Sequence, residues 1–121
     1  MPRQLKSGTG WRIGWDSDAE LYRGLVGGEG WAIELTEAEF AEFCRLVDQL
    51  ANTMNQMSHE LMDEERISCE VESDLIWVEA EGYPQFYELH FMVLTGRQAE
   101  GSWSVAASSH LVQAIHMLDV F

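Results

Sequence analysis

Apolar and polar residues first alternate cleanly at Trp11, Ile13 and Trp15, which share one side of an extended chain, with Arg12, Gly14 and Asp16 on the other. The pattern predicts a strand over residues 11–16. A polar stretch at 17–20 leads into a second extended run at 21–26, and Gly27, Gly28, Glu29 and Gly30 read as a hairpin loop. Trp31, Ile33 and Leu35 then alternate with Ala32 and Glu34 in a further strand. Thr36 and Glu39 have capping-box spacing: the hydroxyl meets the N3 amide and the carboxylate reaches back to the N-cap amide. Leu35 and Phe40 stand where a hydrophobic staple closes, and Glu37 and Glu39 complement the positive end of the helix dipole. Phe40, Phe43, Val47, Leu50, Met54 and Leu61 keep helical spacing, which predicts a helix from 37 to about 63.

A second group of strands follows. Ile67, Cys69 and Val71 alternate with Ser68, Glu70 and Glu72, and residues 75–81 form another extended run before a turn at Gly82, Tyr83 and Pro84. Residues 85–94 are apolar on both faces, as in a central strand, with Tyr87, Leu89, Phe91 and Val93 on the better-buried side. A turn at 95–98 precedes a last strand at 101–106, and Ser108 is placed to cap a terminal helix from 109 to about 119, with Val112, Ile115 and Leu118 inward. Shifting the chain by 72 residues lays Trp31 on Trp103, Ile33 on Val105, Thr36 on Ser108, Phe40 on Val112 and Phe43 on Ile115. The expected fold is therefore α+β: two antiparallel β-sheets, each followed by an α-helix. It occupies a single domain, 1–121, with halves at about 10–64 and 65–121.

Composition fits this picture: 121 residues, 46% hydrophobic and 23% charged, make a soluble globular domain that needs no disulfide or structural metal. The longest apolar runs, such as Phe91-Met92-Val93-Leu94, are too short to span a membrane, and no apolar segment follows the basic residues 1–6. Neither a membrane partner nor a secretory signal is expected. Cys44 and Cys69 read as free thiols, which suggests a reducing, cytoplasmic compartment. Charge changes the picture more. Seven Lys and Arg against 21 Asp and Glu give −14, a field that opposes phosphate backbones and makes generic nucleic acid an unfavoured partner. Arg3, Lys6, Arg12 and Arg23 crowd the start, whereas residues 67–96 hold no Lys or Arg beside Glu70, Glu72, Asp74, Glu79, Glu81 and Glu88.

Candidate chemistry is sparse. His59 and Asp63 share a helix face, but the second histidine of a zincin motif is missing, so no metal is expected. His90, His110 and His116 have no nucleophile at motif spacing, and residues 24–30 lack a P-loop lysine and precede a strand. No catalytic residue and no cofactor is expected. Trp11, Trp15, Trp31 and Trp103 read as sheet-packing residues rather than base-stacking platforms, while Trp77 fits either role. Arg12, Asp16 and Arg23, outward on two adjacent strands, form a candidate partner-binding set; the competing reading is cross-strand salt bridging with Asp16 and Asp18.

Three stretches, Gly10-Trp11-Arg12-Ile13-Gly14-Trp15-Asp16, Gly27-Gly28-Glu29-Gly30-Trp31-Ala32-Ile33-Glu34-Leu35-Thr36 and Leu61-Met62-Asp63-Glu64-Glu65, together resemble a family of small uncharacterised proteins found mainly in cyanobacteria. That resemblance covers nearly the whole chain and brings no catalytic residue with it. It implies a fold similar to the Whirly-type single-stranded-DNA-binding transcriptional regulators, in which two sheets each lead into a helix. Their lysine-rich DNA-contacting motif has no counterpart here. The expected function is a non-enzymatic intracellular protein-interaction module with a protein partner. The alternatives are single-stranded nucleic-acid binding through the N-terminal basic and aromatic strands, or a small-ligand or enzymatic site between the sheets.

Overall fold

Short connections between extended segments reverse the chain, so each strand pairs with its sequence neighbour. The computed structural model describes residues 3–60 and 65–118, without the side chains of 59 and 60. Its first sheet is a meander of β1 (Arg3–Gly8), β2 (Trp11–Asp16), β3 (Gly24–Gly28) and β4 (Trp31–Leu35), followed by α1 (Glu37–Glu60). The second sheet repeats the plan with β5 (Ile67–Glu72), β6 (Ile76–Tyr83), β7 (Phe86–Val93) and β8 (Glu100–Trp103), followed by α2 (Val105–Met117). Both sheets are antiparallel and four-stranded, so the α+β architecture is the one the hydrophobic pattern predicts.

Several boundaries differ from expectation. Strand β1 begins upstream of the first alternation and pairs with β2 from Arg3↔Asp16 to Gly8↔Trp11. Residues 21–23 lie outside the strand: β3 starts at Gly24 and runs through Gly27 and Gly28, which pair with Ala32 and Trp31. Gly82 and Tyr83 belong to β6, and Tyr83 pairs with Phe86 across a turn at Pro84 and Gln85. Strand β8 ends at Trp103, and α2 is capped by Ser104, whose hydroxyl accepts from Ala107 N at 3.2 Å. Ser108 lies buried one turn inside the helix and donates to Ser104 O at 2.8 Å. The two N-caps, Thr36 and Ser104, therefore correspond, and with them Leu35 matches Trp103, Phe43 matches Leu111 and Val47 matches Ile115, all buried. Trp31 and Trp103 are not equivalents under this alignment; they pack on each other, with ring centroids 5.2 Å apart.

The capping box forms as expected: Thr36 N donates to Glu39 Oε1 at 2.9 Å, and Glu39 N to Thr36 Oγ1 at 3.2 Å. Phe40, Phe43, Val47, Leu50 and Met54 are buried, whereas the expected helix end at 61–63, with Leu61, lies outside the described residues. Helix α1 packs chiefly on β5 and β6 of the following sheet, and its first turn also meets β3 and β4. Helix α2 lies across β7 and β2, so both halves share one core. At the centre, Phe43 sits 5.2 Å from Phe91 and 5.7 Å from Trp103 between ring centroids. Trp103 Nε1 donates to the carbonyl of Gly27 at 2.8 Å, tying β8 to β3.

A second tie forms at the start of α1. Glu39 is only 4% exposed, and its carboxylate also accepts from Thr95 Oγ1 at 3.1 Å and pairs with Arg97. Arg97 in turn donates to Glu34 O at 2.7 Å and lies 4.8 Å over the Tyr22 ring.

Candidate functional site

The pattern Gly-x-Gly-Trp occurs at Gly8-Thr9-Gly10-Trp11 and at Gly28-Glu29-Gly30-Trp31, and each copy closes a hairpin with a two-residue turn. Gly10 and Gly30 have φ of 79° and 78°, the conformation a type II turn requires at its second central position. The preceding glycines serve a different purpose. A Cβ on Gly8 would stand 2.4 Å from Trp11 Nε1, and one on Gly28 would stand 2.5 Å from Trp31 Nε1, so each indole lies directly on bare backbone.

Around these rings opens a solvent-facing cleft of about 1040 Å³. Trp11 and Trp31 are half-buried in it, and the Trp103 side chain below them is buried. The hairpin turns, with Thr9 and Glu29, form one wall; the other is the end of β8 and the start of α2, with Ser102, Ser104 and His110. His110 stacks on Trp11 at 6.5 Å with an interplanar angle of 11°, while Trp31 is braced by Phe91 at 6.1 Å. Glu88 of β7 completes the rim. The acidic residues lining the cleft are Glu29 and Glu88, and neither lysine nor arginine stands among the described lining residues.

Glu88 and Ser102 also belong to the outer face of the second sheet. Its cross-strand register sets Glu70 opposite Glu79, Glu79 opposite His90, and Glu81 opposite Glu88. Arg66 pairs with Glu81 at 3.0 Å, Trp77 Nε1 donates to Glu70 Oε2 at 3.0 Å, and His90 Nε2 stands 3.5 Å from Glu88.

The family model for DUF1818, a domain of unknown function, matches residues 6–118. The chain belongs to the DUF1818 family. It is similar to a protein of unknown function from the cyanobacterium Prochlorococcus sp. NATL2A, described as of the DUF155 family. That crystal structure is 29% identical over 94% of this chain and 97% of its own, with a TM-score of 0.88. No curated protein matches.

In this DUF1818 chain the expected set Arg12, Asp16 and Arg23 is spread along the outer side of the first sheet. Arg12 donates to Trp31 O at 3.2 Å; Asp16 Oδ1 accepts from Asp18 N at 3.0 Å. Arg23, which precedes β3 instead of lying on a strand, donates to Ala19 O at 3.0 Å and pairs with Glu37 at 2.8 Å. Arg23 stands beside Asp16 at one end of β2, where Asp16 N donates to Arg23 O at 2.8 Å, while Arg12 lies four residues along, roughly 13 Å away at strand rise.

Other candidates resolve individually. Trp15 stacks on Phe40 at 5.6 Å, and His116 pairs with Asp48 between the helices. Cys44 is buried, which pushes its thiol up to about 12, and Cys69 Sγ lies 3.9 Å from Met57 Sδ; both are free. The His59–Asp63 pairing falls outside the described residues. Among the described residues no three His, Cys, Asp or Glu side chains converge on a metal position, and no helix is long and apolar enough to cross a membrane. The cleft itself was missed in the sequence. Its available signal is the repeated Gly-x-Gly-Trp, of which the sequence reading takes only the second copy, as part of a hairpin loop at 27–30.

Proposed function

We propose that this DUF1818 protein is a non-enzymatic protein-interaction module whose docking site is the cleft between the two glycine–tryptophan turns. One observation carries the reading: Trp11 and Trp31 present part of their rings in an open cleft of about 1040 Å³. Tryptophan is enriched at the energetic centres of protein interfaces. Rings already seated on glycine backbone lose little conformational freedom on binding, which favours affinity. The test is to fill the cleft. Ala106 is exposed in the first turn of α2 and lines it, so Ala106→Trp should abolish capture of a cellular partner that wild-type bait retains. Retention of every partner by Ala106→Trp refutes docking at this site.

Single-stranded nucleic acid is the second reading. It is supported by the aromatic rings and, by analogy alone, by the Whirly-type fold that the sequence resemblance implies. The carboxylates of Glu29 and Glu88 in the cleft weigh against it, as does the net charge of −14. On our reading, a labelled oligothymidylate binds with Kd weaker than about 10⁻⁵ M near physiological salt.

A further inference from the structure

We infer that the occupant of the cleft is a cationic segment of a partner protein, an extended stretch carrying Arg or Lys side chains. This rests on the docking reading above and adds the chemistry of what docks. Glu29 stands in the turn immediately before Trp31, and Glu88 closes the rim, so the cleft sets carboxylates around two half-buried indoles. The aliphatic stem of an arginine or lysine packs along the exposed parts of such rings while its charged head stays at the rim. A carboxylate accepts the paired N–H groups of arginine in a fork geometry. Together they form a receptor for a cation with an apolar stem, and the same groups disfavour an anionic or purely aliphatic occupant.

The surface beyond the rim extends the argument. Glu81 faces Glu88 and Glu70 faces Glu79 directly across neighbouring strands. Like charges in that position destabilise a sheet. Arg66 pairs with Glu81, Trp77 and Ser68 donate to Glu70 and Glu79, and His90 stands beside Glu88, so among the described residues Arg66 is the one Lys or Arg paired with these four glutamates. A cationic segment continuing from the cleft over this face would set its charges against those glutamates. The distance from β8 to β5 is about 14 Å at an inter-strand spacing of ~4.8 Å, within reach of about five extended residues. The long-range field of a chain at −14 steers such a segment inward.

A fluorescein-labelled, end-capped hexa-arginine peptide titrated with the full chain tests this by anisotropy, with capped hexaglutamate as the control. Hexa-arginine should bind, more weakly as salt rises from about 50 to about 200 mM, and hexaglutamate should not. The double variant Glu29→Gln/Glu88→Gln, altered at exposed positions and checked for an unchanged melting curve, should bind at least about tenfold more weakly. Glu20→Gln/Glu65→Gln, which removes the same charge from exposed residues elsewhere, should change the affinity less than about twofold. Equal losses in the two double variants, or no binding of hexa-arginine, overturn the inference. The cellular partner separates the two levels. If Ala106→Trp loses it while Glu29→Gln/Glu88→Gln keeps it, docking stands and the cationic occupant is refuted. If both variants lose it and the Glu20→Gln/Glu65→Gln control keeps it, the inference is supported; if Ala106→Trp keeps it, both readings fail.

Discussion

Arg97→Ala should destabilise the fold by about 2–3 kcal/mol, most of it through one carboxylate. Glu39 is buried at the first turn of α1 and accepts from Thr36 N, Thr95 Oγ1 and the Arg97 guanidinium. A hydrogen bond to a charged group contributes about 1.5–3 kcal/mol net. Breaking a wholly buried ion pair reaches about 3–5 kcal/mol, but the Arg97 side chain is 32% exposed, so water screens the loss and the lower range applies. The Tyr22 face under the guanidinium adds about 0.5–1 kcal/mol. Glu39→Gln keeps an oxygen for the Thr36 amide while removing the charge, at an expected cost of about 1–2 kcal/mol. In that background the retained oxygen still accepts from Arg97, so Arg97→Ala loses a neutral hydrogen bond in place of the charged one, together with the Glu34 carbonyl and Tyr22 contacts, and the coupling energy should be about 1 kcal/mol. Urea titration of wild type, both single variants and the double variant, with m-values compared, measures it. A coupling within about 0.3 kcal/mol of zero would falsify the claim that this pair ties the two halves together.

Three further outcomes are expected. Ser104→Ala should cost about 1 kcal/mol as loss of a helix cap, whereas Ser108→Ala, whose hydroxyl bonds only backbone carbonyls, should stay within about 0.5 kcal/mol of wild type; denaturant midpoints in the reverse order would restore Ser108 as the cap. Gly28→Ala must displace the Trp31 indole and should cost about 1–3 kcal/mol with a shifted tryptophan emission, so unchanged emission and stability would mean the ring is not seated on this backbone. Burial raises the Cys44 thiol from 9.0 to about 12, so the folded state favours the neutral form; this contribution is complete below pH 9 and is lost as pH rises towards 12. Unfolding midpoints across that window should fall more steeply for wild type than for Cys44→Ala, and parallel curves would count against a buried thiol.

Legibility followed burial. β2, β4 and α1 show in the chain because one side of each is apolar at the right period, and the Thr36–Glu39 box marks a helix start locally. β1 does not show. It is an edge strand with no buried side chain, so no alternation records it. β3 is legible as the extended run at 21–26, but its bounds are not: Gly27 and Gly28 contribute nothing to a hydrophobic pattern, although they hold strand register with Ala32 and Trp31. Ser104 and Ser108 are both plausible caps in isolation, and the choice is made by Trp103, which ends its strand where its indole reaches Gly27. The cleft brings Glu88 and Ser102 from one sheet to Trp11 and Trp31 of the other, a meeting that no spacing within either segment encodes. Arg12, Asp16 and Arg23 were legible as polar positions, but which carbonyls and carboxylates they engage was not.

Because α1 is covered chiefly by strands that follow it in the chain, the order of synthesis matters. When residue 60 has been added, the sheet that will cover Phe43, Val47, Leu50 and Met54 does not yet exist. The strands through Val93 follow only after about 2–7 s at translation rates of about 5–20 residues per second. During that interval the nascent chain displays uncovered apolar side chains of the kind chaperones hold. A transcript truncated after α1 would yield an aggregating fragment rather than a working half, so the apparent duplication is not modular at the level of folding.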